Sequence, residues 1–320
     1  MKFTATIAAA ALAVTAGLAG GQAEAQERVT YKSAKSSSSY YQMGVQIAEA
    51  MKAGTEGNVI VTVEESQGSV QNVMEVRARG ADYVFTTPPA LVRLAQEGKA
   101  MFEGKSDPSF DEIRALFPIP SLTMHFVTAK SAGVESFADL EGKTILLGKG
   151  SFGAREGQKY LEMFGLEGKV ELAEVELSNA VAALKNGQID GFVTAGSYPA
   201  PNVIEAAAST EVDILSLTDE QIAETKRTRL VIPAGTYAGQ DADIVTTSLP
   251  VVAFATTKMS DDVAYELTKT FWEQREAMGE SAPWWLAVDQ ALMETITGQI
   301  HPGAIRYYKE AGFTLSDAQM

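Results

Sequence analysis

Lys143-Thr144-Ile145-Leu146-Leu147-Gly148-Lys149-Gly150-Ser151-Phe152-Gly153-Ala154-Arg155 is the stretch that decides the fold. Residues 143–147 read as a strand, residues 148–153 as a glycine-rich loop, and helical spacing takes over through residues 154–164. The same grammar recurs along the chain. Residues 28–33 read as a strand, followed by Ser36-Ser37-Ser38-Ser39 and a helix with Tyr40, Gly44, Ile47 and Met51 on one face. The β-branched run 58–64 leads into Ser66-Gln67-Gly68-Ser69 and a helix from Val70. Gly80-Ala81-Asp82 ends that helix, residues 83–86 form the next strand, and Pro88 or Pro89 stands where a first helical turn tolerates proline. Further on, residues 170–176 read as a strand and residues 178–185 as a helix begun by Ser178-Asn179. Gly187-Gln188-Ile189-Asp190 then opens into Gly191-Phe192-Val193-Thr194.

Strands and helices alternating over short turns imply parallel sheets covered by helices. Two such series imply two α/β lobes. Residues 113–130, broken by Pro118 and Pro120, and residues 245–257, with Pro250, read as extended segments passing between them. These boundaries put residues 26–128 and 248–320 in the first lobe and residues 129–247 in the second. Ser260 is an expected cap, with Asp261 and Asp262 in the first turn of its helix. That helix and another over residues 284–296 are expected to pack back on the first lobe.

The first 25 residues read as an export signal. Lys2 supplies the positive start, residues 7–18 are apolar and small, and Ala23-Glu24-Ala25 has the small-x-small form of a cleavage site. The apolar run is shorter than the roughly 20 residues that span a bilayer. A soluble protein of the periplasm, starting near Gln26, is expected. The chain has no cysteine, which excludes disulfides, thiolate metal sites and cysteine nucleophiles. Its 26 basic and 41 acidic residues leave a net charge of −15, which argues against nucleic acid as a partner. Any attraction for an anion must therefore be local.

Ligands of open α/β sheets sit beyond the carboxyl ends of the strands. Ser36, Ser37, Ser38, Ser39 and Tyr40 fall at such a place, as do Gln67, Gly68 and Ser69, the pair Thr86 and Thr87, and the loop bearing Ser151, Phe152, Gly153, Ala154 and Arg155. Each sets hydroxyls or backbone N–H groups at a helix start, the usual cradle for carboxylates and phosphates. A micromolar ligand needs about 8 kcal/mol, so several loops must act together. The same residues have plainer readings: a solvated serine loop, and a surface ion pair for Arg155. Tyr40, Tyr41 and Tyr198 suit a core as well as a cleft wall.

Gly148, Gly150 and Gly153 also match the dinucleotide fingerprint, with Glu171, Glu174 and Glu176 near the spacing of its acidic partner. The rival function is thus an exported dinucleotide-dependent oxidoreductase. Glycines at a strand-to-helix turn serve any ligand that approaches the backbone, so the motif alone is weak. His125 lies in an apolar run and suits a core or hinge; His301, before Pro302, suits a cap. Neither belongs to a hydrolytic or metal motif, and no cofactor, metal or catalytic set is expected.

Four segments are similar to a known family. The run Ile232-Pro233-Ala234-Gly235-Thr236-Tyr237-Ala238-Gly239-Gln240-Asp241 and the run His301-Pro302-Gly303-Ala304-Ile305-Arg306-Tyr307-Tyr308 resemble signature segments of the TAXI family, the extracytoplasmic solute receptors of one class of TRAP transporters. Glu65-Ser66-Gln67-Gly68-Ser69-Val70-Gln71-Asn72 resembles that family's second loop, and Asn186-Gly187-Gln188-Ile189-Asp190 a further segment. The resemblance implies a two-lobed, type II-like periplasmic-binding-protein fold of class α/β, with a ligand cleft between lobes joined by crossing strands. It implies a small organic-acid ligand, such as a dicarboxylate or acidic amino acid, delivered to the two membrane subunits of a permease driven by an ion gradient. Two departures stand out. Lys35-Ser36-Ser37-Ser38-Ser39 replaces a Gly/Thr-rich first loop, and Ser151-Phe152-Gly153-Ala154-Arg155 lacks the threonine hydroxyl of the family's Gly-Ser-Gly-Thr-Arg loop.

Overall fold

The computed structural model describes residues 26–36, 38–148, 151–174 and 176–320. The expected export signal, Ser37, Gly150 and the side chain of Phe152 lie outside the described residues. The first series runs β1 (Glu27–Lys32), α1 (Ser39–Gly54), β2 (Val59–Glu64), α2 (Ser69–Glu75), β3 (Tyr83–Thr87) and α3 (Pro89–Gln96). A long strand, β4 (Ile113–Ala129), carries the chain onward to β5 (Thr144–Leu146), α4 (Phe152–Met163), β6 (Glu171–Leu172), α5 (Ala180–Lys185), β7 (Gly191–Gly196) and α6 (Pro201–Ser209). Then come β8 (Val212–Ile214), α7 (Asp219–Thr225), β9 (Thr228–Ile232) and a second long strand, β10 (Ile244–Thr256). Helices α8 (Asp261–Glu273), α9 (Arg275–Gly279) and α10 (Pro302–Glu310) close the chain.

The strands are ordered β2-β1-β3-β10-β4-β7-β5-β6, with β8 on β4 and β9 on β10. Strands β1, β2 and β3 are mutually parallel, as are β5, β6 and β7. The two long strands are antiparallel and join these groups. From Ile113 to Thr123, β4 pairs with β10; from Thr123 to Thr128 it pairs with β7. Likewise β10 pairs with β9 from Ile244 to Ser248 and reaches β3 at Val252, Ala253 and Phe254. At 17 residues and roughly 3.3 Å per residue, β4 is long enough to serve both groups. The fold is thus α/β and two-lobed, with two crossing strands between the lobes.

The prolines did not break residues 113–130 into separate segments; they lie inside one strand, β4. Proline removes a ladder donor, and near Pro250 the pairing slips between Leu249 and Val251. Two other expectations fail. The strand expected over 170–176 shrinks to Glu171–Leu172, both exposed, because β6 is an edge strand held by β5 alone. The helix expected over 284–296 is two 3₁₀ turns, Pro283–Ala287 and Gln290–Thr295, separated by extended Val288 and Asp289. Trp285 is fully buried with its ring 4.9 Å from that of Phe271, and this packing sets the first turn. Ser260 caps α8 as expected, accepting from Val263 N–H, and His301 caps α10 by accepting from Gly303 N–H.

One apolar core runs through both lobes, from Phe85, Phe254 and Phe117 to Phe126, Phe137 and Tyr160. A smaller cluster under α5 and α6 contains Leu146, Phe192, Val203 and Tyr237. Each large side chain so buried contributes about 1.5–3 kcal/mol. This is how a cysteine-free chain holds its strand ends, and the loops on them, in place.

Candidate functional site

The loops at the carboxyl ends of the parallel strands meet at one cavity of about 290 Å³. The loop after β1 brings Ser38, Ser39 and Tyr40. Ser38 is the N-cap of α1, its Oγ accepting from Tyr40 N–H at 3.2 Å, and Tyr40 Oη donates to Pro120 O at 2.8 Å. The loop after β2 brings Gln67, Gly68 and Ser69 at the start of α2, and the end of β3 brings Thr86. Asn72 binds these loops together. Its Nδ2 donates to Ser33 O at 2.7 Å and Thr86 O at 2.8 Å, while Ser66 Oγ donates to Ser33 O at 2.9 Å.

The second lobe supplies Ser151 and Gly153 from the start of α4, where Ser151 Oγ accepts Ala154 N–H at 2.9 Å. A Cβ on Gly153 would lie 2.8 Å from Ala195 Cβ, so only glycine lets α4 sit this close to β7. The end of β7 and the start of α6 complete the wall with Thr194, Gly196, Ala200 and Asn202. Asn202 Nδ2 donates to Thr194 Oγ1 at 3.0 Å. Leu122 and Val251 of the crossing strands line the cavity between the lobes.

Contacts between described residues span the cavity from lobe to lobe. Ser197 N–H donates to Ser39 Oγ at 3.1 Å, and Lys35 Nζ lies 2.7 Å from Glu176 Oε2. Among the described lining residues, Lys35 is the one cation and Glu205 the one carboxylate. The rest are hydroxyls, amides and apolar groups. Burial raises the Tyr40 phenol well above its ordinary value, so it is a neutral donor. Among the described residues, no group of three His, Cys, Asp or Glu could hold a metal ion.

Of the residues expected at the site, Ser38, Ser39, Tyr40, Gln67, Gly68, Ser69, Thr86, Ser151 and Gly153 line this cavity; Ser36, Thr87, Ala154, Arg155 and Tyr198 do not. Strand alternation explains Thr87: its neighbour Thr86 faces the cavity. Ser36 turns back to Glu65, whose Oε1 accepts from its N–H at 2.9 Å. Ala154 and Arg155 follow the first residues of α4, and burial lowers the Arg155 guanidinium. Tyr198 packs against the smaller core cluster. The sequence reading missed Lys35, Ser33 and, apart from Tyr198, the β7–α6 segment. Applying the carboxyl-end rule to residues 191–194, ahead of the helix-starting Pro201, would have found the last of these.

In structure the chain is similar to the periplasmic binding protein BugD, with a TM-score of 0.55 at 11% identity over 90% of this chain and 98% of that one. It also matches the periplasmic aliphatic sulphonate binding protein SsuA from Escherichia coli, with a TM-score of 0.48 at 15% identity over 89% and 83% of the two chains. A TRAP periplasmic solute binding protein from Escherichia fergusonii gives a TM-score of 0.47 at 13% identity over 90% and 96%. At such identities the BugD likeness speaks to the fold, which is that of the two-lobed periplasmic binding proteins. Residues 32–312 match the model of the NMT1-like family, and the chain belongs to that family.

Proposed function

We propose that this protein is a periplasmic solute receptor that closes on a small organic anion and hands it to a membrane permease. The observation that carries the reading is the convergence of four helix starts, those of α1, α2, α4 and α6, with Lys35 on one cavity between the lobes. Each helix start favours an anion by about 0.3–1 kcal/mol, more when partly buried. Lys35 adds a full charge. Its pair with Glu176 is half-exposed on the acidic side and worth little, so an incoming carboxylate can compete for it. The cavity volume lies at the lower end of the usual range for small-molecule sites.

The four segments that resemble TAXI receptors support the narrower assignment to a TRAP-type system with a dicarboxylate or acidic amino acid as ligand. The change of partners at Ser248 supports a boundary there between a first lobe of residues 26–128 and 248–320 and a second of 129–247, while on β4 the crossing begins at Thr123.

Thermal melting of the mature protein against a panel of dicarboxylates and acidic amino acids tests the reading. A ligand at 100 times its Kd stabilises by about 2.7 kcal/mol, or roughly 4 °C for a chain of this size. Lys35→Ala should shrink that shift. A panel that leaves the melting temperature unmoved shows the ligand class to be wrong.

A further inference from the structure

The sequence stretch most distinctive of this chain, residues 232–241, contributes no residue to the cavity wall. It lies behind that wall, and its own hydrogen bonds make it a stiff block. Gly235 N–H donates to Gln240 O at 2.9 Å, Gln240 Nε2 donates to Pro233 O and Ala242 O at 2.9 Å each, and Ala234 N–H donates to Asp243 Oδ1 at 2.9 Å. Tyr237 N–H donates to Gln240 Oε1 at 3.1 Å, which aims the Tyr237 ring inward until 4% of the residue is exposed.

The buried hydroxyl then makes two bonds. Ala200 N–H donates to Tyr237 Oη at 2.9 Å, and Tyr237 Oη lies 2.8 Å from His125 Nε2. The direction of the second follows from the other ring nitrogen. His125 Nδ1 is 3.2 Å from Thr123 O, a carbonyl that can only accept, so Nδ1 carries the proton. A neutral imidazole protonated there presents Nε2 as an acceptor, and burial holds His125 down at about 4, which keeps it neutral. The chain of donors runs from Ala200 N–H to Tyr237 O–H to His125, and from His125 Nδ1–H to Thr123 O.

Both ends of this chain matter. Ala200 opens α6 and, with Pro201 and Asn202, lines the cavity. Thr123 is the residue at which β4 passes from β10 to β7. We propose that Tyr237 is a positioning residue of the ligand site, its hydroxyl holding the start of α6 against the cavity and tying it, through His125, to the crossing strand. This deepens the receptor reading and rests on the cavity being the ligand site. The stiff loop around Gln240 is the bracket that makes the hydroxyl's position reproducible.

Hydrogen–deuterium exchange on the full mature chain tests it without a ligand. Tyr237→Phe keeps the packed ring and removes the oxygen. Exchange at Ala200 and its neighbours in 196–203 should rise about tenfold, with the rest of the second lobe unchanged. His125→Phe removes the acceptor but leaves Tyr237 Oη to receive Ala200 N–H, so its effect on 196–203 should be smaller than that of Tyr237→Phe. Unchanged exchange in 196–203, or a uniform rise across the second lobe in Tyr237→Phe, overturns the proposal, as does a larger effect from His125→Phe. With succinate as probe, Tyr237→Phe should weaken binding about tenfold relative to wild type. Wild-type protein that ignores succinate and every other organic acid counts against the receptor reading, while the exchange result decides the role of Tyr237 on its own.

Discussion

Ser39 and Ser197, 158 residues apart, are joined across the cavity by a hydrogen bond of 3.1 Å from the Ser197 N–H to the Ser39 hydroxyl. The bond exists because Gly196 has no side chain: a Cβ there would lie 2.8 Å from Ser39 Oγ. Ser39 starts α1 on one lobe and Ser197 follows β7 on the other, so this contact joins the two across the cavity.

Gly196→Ala should turn the Ser39 hydroxyl away and break its bond to Ser197 N–H, at a cost of about 1–3 kcal/mol. A urea titration against wild type reads that loss. Ser39→Ala should lower stability by about 1–3 kcal/mol by leaving a buried N–H without its acceptor. The double variant should be less damaged than the two single effects summed, because removing Oγ makes room for the new methyl. Strict additivity would show that the two residues do not meet in solution.

The α4 helix that carries Ser151 and Gly153 is anchored from beneath by Glu156, which is 2% exposed. Arg227 approaches Glu156 Oε2 at 3.0 Å through Nε and at 2.8 Å through a second nitrogen, and Lys159 lies 3.1 Å from the other oxygen. Arg227→Ala removes the bidentate partner of this buried carboxylate and should cost about 3 kcal/mol in a urea titration, the low end for a broken buried pair. Glu156→Gln combined with Arg227→Met should recover most of that loss. A double variant as unstable as Arg227→Ala would place the damage in packing and not in charge.

His125 gives a pH dependence of known sign. Burial lowers it from its ordinary 6.5 to about 4. The unfolded chain therefore binds a proton in this window that the folded chain refuses, and folding stability falls as pH drops from about 6.5 toward 4. Across the full window the loss is about 3 kcal/mol, at about 1.4 kcal/mol per pH unit. Carboxylates held low, such as Glu64 beside Arg79 and Lys32, lose their contribution at still lower pH as they are protonated. Comparing wild type with His125→Gln separates the two. The difference in unfolding free energy between them should shrink from pH 7 to pH 4.5, and parallel curves would show His125 to titrate normally.

Much of the fold was legible because its cues are local. Strand, hydroxyl-rich loop and helix follow one another within some twenty residues around Ser38 and again around Ser151, and the carboxyl-end rule then puts both loops at one site. What was not legible depends on partners distant in sequence. Whether residues 170–176 could be a full strand turned on how many neighbours β6 has, and it has one. Residues 284–296 have helical composition, but the burial of Trp285 against Phe271 outweighs propensity. Lys35 was read only as a charge added to the first loop; that it faces Glu176, 141 residues away, could not be told from its neighbours. Tyr237 sits in a stretch that stood out at once, yet nothing in its neighbours told that its hydroxyl meets Ala200 and His125.

The central claim is that one small anion is held by both lobes at once. A crystal structure of the mature protein soaked with the organic acid that stabilises it most tests this directly. The account predicts density for one molecule whose carboxylate lies within hydrogen-bonding distance of Lys35, Ser69 or Thr86 on the first lobe and of Ser151 or Thr194 on the second. A ligand bound on the outer surface, or held by one lobe with the other untouched, would contradict it.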